Sequence, residues 1–248
     1  MNMGSKEKLF EICTRLIKAY ESGLLGNTTM PEDTHPVFAN DEMRLAYFTL
    51  PMALNYQRNS YKMWEAALKT YLDAETRFVF DIKEVSLKGE AEIRIALMKY
   101  KLALQPNKHV DTWVRLAKSF ENWGSISEFF KVHNDDYLLI KDTMQVKNKK
   151  RFPYLSGPKI FNYWLYIMST YGGVGLKNRE FIEIAPDTHI IKCSVKLGVI
   201  SLDEAEKLSR DQISARWREL LKGTGIDPIM MHAPLWFWSR NGFKHKIG

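Results

Sequence analysis

Lys159 and Asp187 are the two residues of this sequence whose type and position could do chemistry. Lys159 follows Gly157-Pro158, and proline favours the first position of a helix, with Ser156 or Gly157 as the cap. Lys159 then sits in a first turn, where the helix dipole disfavours a cation and favours the neutral amine, the nucleophilic form of a lysine. The same position suits a plain surface lysine tolerated at small cost. Asp187 lies in Ala185-Pro186-Asp187-Thr188-His189-Ile190, just before the apolar pattern Ile190, Ile191, Val195 and Leu197, and reads as an N-cap. Backbone N–H groups favour an ionised carboxylate there, and a carboxylate so held can stabilise a developing positive charge. Capping alone is also a sufficient role for it.

The elements that must position these residues read as helical nearly throughout. Leu9, Ile12, Leu16, Ile17 and Tyr20 follow the spacing of one helix face, and Gly23 and Gly26 end that helix. A polar loop is expected from Asn27 to Asn40. A second helix is expected from Asp41 towards Gln57, with Pro51 as a kink or break. Segments 61–73, 90–105 and 111–122 read as further helices, the last N-capped by Asp111. Ser201 with Glu204 forms a capping box. Arg77 to Val85 alternates loosely, the nearest approach to a strand. The expected fold class is all-α, one compact helical unit with two lobes, about 45–150 and 1–44 plus 151–248, flanking a cleft.

A basic cluster, Lys147, Lys149, Lys150 and Arg151, leads into Phe152-Pro153-Tyr154-Leu155-Ser156-Gly157-Pro158-Lys159. A charge run is often only a solvated face. Here it abuts a Gly-Pro turn and an aromatic helix, Ile160 to Tyr171, and a tight turn with exposed N–H groups beside lysines cradles phosphate. The formal net charge of +7 points the same way, towards an anionic partner.

Several function classes are excluded. Cys13 and Cys193 cannot make a disulfide framework, a four-cysteine metal site or an iron–sulfur cluster. No metalloprotease histidine pair, nucleophile elbow or dinucleotide fingerprint is present, and Gly172-Gly173-Val174-Gly175-Leu176-Lys177 is not a P-loop. No apolar run approaches the roughly 20 residues that span a bilayer. Met1 to Leu9 lacks a signal-peptide core, so a cytoplasmic, nucleoid-associated location is expected.

Leu155 to Lys159, the helix after it, and Pro186-Asp187-Thr188-His189-Ile190 with Leu197-Gly198 resemble the helix-hairpin-helix DNA glycosylases, the superfamily of endonuclease III-like enzymes. Lys159-Ile160-Phe161-Asn162-Tyr163 and Gly223-Thr224-Gly225-Ile226-Asp227-Pro228 with Leu235-Trp236 look most like the archaeal-type 8-oxoguanine glycosylases. The likeness runs from about residue 150 to 240, and Trp64 aligns as well. It departs from the common pattern in three places. Leu155 replaces the first hairpin glycine, Ala185-Pro186 precedes the aspartate, and the Lys159–Asp187 interval is lengthened around Gly172 to Gly175.

The resemblance implies a hairpin over about 144–171, Lys159 as the amine that attacks the sugar, and Asp187 as its assisting carboxylate. It implies a base pocket from Trp236, with Phe161, Tyr163 and Trp64 as further aromatics. DNA contacts are expected from Lys147, Lys149, Lys150, Arg151, Ser156 and Gly157. The expected partner is double-stranded DNA with a flipped-out modified base, with no metal or cofactor and a monomeric protein. The alternatives are a glycosylase for a hypermodified base of foreign DNA or for a nucleotide or RNA, and a non-catalytic DNA-binding module.

Overall fold

Side-chain caps start many of the helices, and the pattern of buried positions follows from where they begin. The computed structural model describes residues 3–26, 29–55 and 58–247. Helix α1 (Met3–Glu21) buries Leu9, Cys13, Leu16 and Ala19 along one face. It ends where Gly23 takes a left-handed φ of 70°, which lets the Leu24 N–H reach back to the Ala19 carbonyl at 2.9 Å. Helix α2 (Asp41–Ala53) starts at Asn40, whose side chain accepts the Met43 N–H at 2.8 Å. Pro51 does not break it, because the helix ends only two residues later. Gln57, the expected end, lies outside the described residues.

Helices α3 (Ser60–Leu72), α4 (Ile82–Leu87) and α5 (Glu90–Lys99) follow. The loosely alternating segment from Arg77 is a 3-10 turn, Arg77–Phe80, leading into α4 behind the Asp81 cap. Helix α6 runs Pro106–Glu121. The expected Asp111 cap is therefore displaced: Pro106 opens the helix, where its missing N–H costs nothing, and Asp111 sits mid-helix, ion-paired with Arg115 at 3.3 Å. Helix α7 (Ile126–Val132) is capped by Ser125 and also by the Glu42 carboxylate, which accepts the Ile126 and Ser127 N–H groups at 3.1 Å. Helix α8 (Tyr137–Lys141) widens into a π-helical turn, Asp142–Lys147, then a 3-10 turn, Lys149–Arg151, before α9 (Pro158–Thr170). The chain closes with α10 (Thr188–Lys196), α11 (Leu202–Lys207), α12 (Arg210–Leu221) and α13 (His232–Arg240). The Ser201–Glu204 capping box forms at α11. The described residues contain no strand, only an isolated bridge between Asp136 and Lys177. No described helix is long and apolar enough to cross a membrane.

The chain divides into two compact units, Met30–Asn178 and Met1–Thr29 with Arg179–Gly248. Residues 30–44 and 151–178 thus belong with the central segment, where the sequence grouping had put them with the termini. The reason is packing: α9 lies on α2 deep in the central unit. Two aromatic clusters fill that unit. One joins Tyr47 to Trp64 and Phe80 at centroid distances of 5.8 and 5.4 Å, and the other joins Phe120 to Phe129 and Phe152 at 5.3 and 5.5 Å. In the terminal unit, α10 packs on α13 and α1 on α13, with Tyr20 stacked on Phe237 at 5.9 Å.

Candidate functional site

The basic turn is held on one face of α6. Positions 108, 115 and 119 recur at helical spacing on that face, and each engages the turn. Arg115 donates to the Lys150 carbonyl at 2.7 Å, Ser119 donates to the Arg151 carbonyl at 2.8 Å, and the Lys108 ammonium lies 5.0 Å from the centre of the Tyr154 ring. Between these contacts the fully buried Phe152 and Leu155 anchor the turn in the core. Lys149, Lys150 and Arg151 are consequently exposed on a rigid support, and no acidic residue occurs from 143 to 179. Lys147 is exposed but ion-paired with Asp142 at 2.5 Å. Ser156 departs from its expected part as a surface ligand. It is only 6% exposed, and its hydroxyl is aimed at the Lys149 carbonyl at 3.5 Å, so it stabilises the turn from inside.

Gly157 caps α9, Pro158 is its first residue and Lys159 its second. The Lys159 side chain is exposed. Gly157 has an ordinary φ but a close neighbour: a Cβ there would stand 3.1 Å from the Tyr154 carbonyl oxygen, which accepts the Gly157 N–H at 2.9 Å, so the turn would have to give by a few tenths of an ångström. The left-handed residue of the turn is Tyr154, at φ 60°.

Two of the expected pocket aromatics are core residues. Trp64 is 2% exposed against Tyr47 and Phe48, and Phe161 is fully buried between Tyr137 and Trp164. Each falls on the apolar face of its helix, where packing claims the ring. Tyr163 is half-buried, and its hydroxyl donates a very short hydrogen bond to Glu32. Glu32 is 1% exposed, and burial pushes its carboxyl up to about 7, against the opposing pull of the Tyr163 hydrogen bond. Neighbouring Asp33 accepts the Tyr171 hydroxyl at 2.6 Å, and burial drives the phenols of Tyr163 and Tyr171 up.

In the terminal unit Asp187 caps α10, its Oδ1 accepting the His189 and Ile190 N–H groups at 2.9 and 3.0 Å. Oδ2 has no hydrogen-bond partner among the described residues. His189 is hydrogen-bonded to Ser239 on α13 at 3.1 Å. Its ring meets the half-buried Trp236 edge-on at 5.4 Å, and the Arg240 guanidinium lies 4.7 Å from the Trp236 ring centre. Asp187 and Trp236 therefore share one neighbourhood, joined through His189. Sequence reasoning missed Lys108, Arg115 and Ser119, though their common helix face was a usable signal. It also missed Glu32, which a polar Pro-Glu-Asp loop gave no cause to bury.

No protein-family model, curated protein or solved structure matches this chain.

Proposed function

We propose that this chain is a DNA glycosylase that grips duplex DNA through the 147–159 turn and uses Lys159 as an amine nucleophile. The observation that carries the reading is the exposed Lys159 in the first turn of α9, directly after an acid-free basic turn clamped to α6. Phosphates are held by lysine, arginine and helix-start N–H groups, and such contacts orient a protein on DNA without reading sequence. The target base must leave the stack to be reached. The Lys159 Nζ, having given up a proton to solvent, then bonds to C1′ while the base departs with the glycosidic electron pair and takes up a proton. Loss of the amine proton, then opening of the ring as the nitrogen lone pair forms the C1′=N bond and O4′ leaves and takes up a proton, give the Schiff base. Removal of a 2′ proton and expulsion of the 3′ phosphate would complete strand cleavage.

Borohydride trapping on a panel of lesion-bearing duplexes tests this. Wild-type protein should be trapped covalently on at least one duplex, and Lys159→Ala should not. Trapping that survives Lys159→Ala would sink the nucleophile. Hypermodified duplexes, free nucleotides and RNA belong in the same panel, and product from free nucleotides alone would replace DNA as the substrate.

A second reading, a non-catalytic duplex-binding module, is favoured by the complete capping role of the Asp187 Oδ1 atom. It requires salt-dependent binding with no base released from any substrate.

A further inference from the structure

Tyr154 is an unusual residue for its backbone. Left-handed φ is open to glycine and tolerated by asparagine or aspartate, but for a bulky side chain it is strained. Of the six non-glycine residues with positive φ among the described residues, three are Asn or Asp, one is Lys101, and the two aromatics, Tyr154 and Phe243, each lie against a lysine. Phe243 packs edge-on against Trp238, at 4.7 Å. Tyr154 sits at the turn of the basic hairpin, half-buried, beside the Lys108 ammonium. Lys149, Lys150 and Arg151 stand three to five residues before it on the same α6 support.

A strained backbone persists where its surroundings over-determine it, and such residues gather at functional sites. Here the surroundings are fixed by four things: buried Phe152 and Leu155 on either side, the Gly157 N–H on the Tyr154 carbonyl, and Lys108 against the ring. Together they hold an amphipathic ring next to the exposed Lys149, Lys150 and Arg151. Aromatic rings beside cations are the means by which proteins contact the faces of bases and sugars, while the cations take the flanking phosphates.

We infer that Tyr154 is a nucleic-acid contact of the hairpin, its ring set against a deoxyribose or an unstacked base of the bound strand. Lys108 steadies the ring, and Lys149, Lys150 and Arg151 hold neighbouring phosphates. This inference rests on the duplex-binding part of the proposed function and adds a non-ionic contact to it.

The test is fluorescence anisotropy with a short labelled DNA duplex, titrated at several salt concentrations, on the full chain. Tyr154→Asn and Tyr154→Gly both suit the left-handed backbone, and both should melt at or above the wild-type temperature. Each should bind about tenfold more weakly, the range of an aromatic–base contact. The slope of log K against log salt should not change, because no phosphate contact is lost. Lys150→Gln, the ionic comparison, should reduce that slope by roughly 0.9. Wild-type affinity in both tyrosine variants would overturn the inference, as would an affinity loss that tracks a lowered melting temperature. Wild-type protein that binds no duplex at low salt would overturn the duplex-binding reading and the inference together. Wild-type binding with unaffected variants overturns the inference alone.

Discussion

Glu32 makes a residue-scale prediction with a definite sign. Its folded carboxyl titrates at about 7, above the ordinary 4.5, because burial disfavours the charge. Between those values the folded protein keeps a proton that the unfolded chain releases. The contribution to stability is full below about 4.5 and is lost as pH rises through about 7. At 1.36 kcal/mol per pH unit the whole loss is roughly 3 kcal/mol. Urea unfolding of wild type and Glu32→Gln across that range isolates it. The wild type should lose stability relative to the variant as pH rises, and parallel curves would refute the assignment. Asp187 carries the second prediction. Asparagine keeps the Oδ1 acceptor that meets the His189 and Ile190 N–H groups, and alanine does not. Asp187→Ala should lose about 1 kcal/mol of stability and Asp187→Asn only a few tenths. If the carboxylate serves chemistry, Asp187→Asn still abolishes base release, which a thermal melt run beside a base-release assay would separate from capping.

At the scale of elements, α6 is the platform on which the basic turn depends. The Ser119 hydroxyl lies 2.8 Å from both the Arg151 carbonyl of the turn and the Arg115 carbonyl of its own helix, so Ser119→Ala removes the one donor those two carbonyls share. We expect a cost of about 1 kcal/mol and faster amide exchange around residues 150–152. Unchanged exchange would show that Phe152 and Leu155 hold the turn alone. The caps at Ser201, Asp187 and Gly157-Pro158 were legible because each uses a side chain or ring next to the helix it starts. Asp111 misled because it is also a competent capping residue. Pro106, five residues earlier, captured the helix start, and no local rule ranks one signal over the other. The π-helical turn at Asp142–Lys147 had no visible sequence mark.

Over the whole molecule, the net charge of +7 is less informative than its distribution, with residues 143–179 free of acid. Duplex affinity should fall steeply with salt, and replacing Lys149 and Lys150 with glutamine should lower the log–log slope by roughly 2. Equal slopes for the variant and the wild type would remove these lysines from the interface. The division into units was only partly legible. That the two ends of the chain group together was expected, but 151–178 was expected with them. Its membership of the central unit follows from the apolar face of α9 meeting α2, a pairing between residues far apart in sequence.

The helical class, many of the helix starts, the exposure of the basic run and the positions of Lys159 and Asp187 at helix starts are legible in the chain's local pattern. Those properties depend on hydrophobic period and on groups within a few residues of one another. Which aromatics are taken up by the core depends on long-range packing. Trp64 and Phe161 became core because their helix faces met other helices, and Trp236 is half-buried, with His189 edge-on and the Arg240 guanidinium over its ring. Long-range packing likewise decided that Glu32 is buried against Tyr163, and that Arg115 and Ser119 reach across to the turn. Burial and long-range hydrogen bonding are properties of what packs against a residue, and that partner is not written in its neighbours.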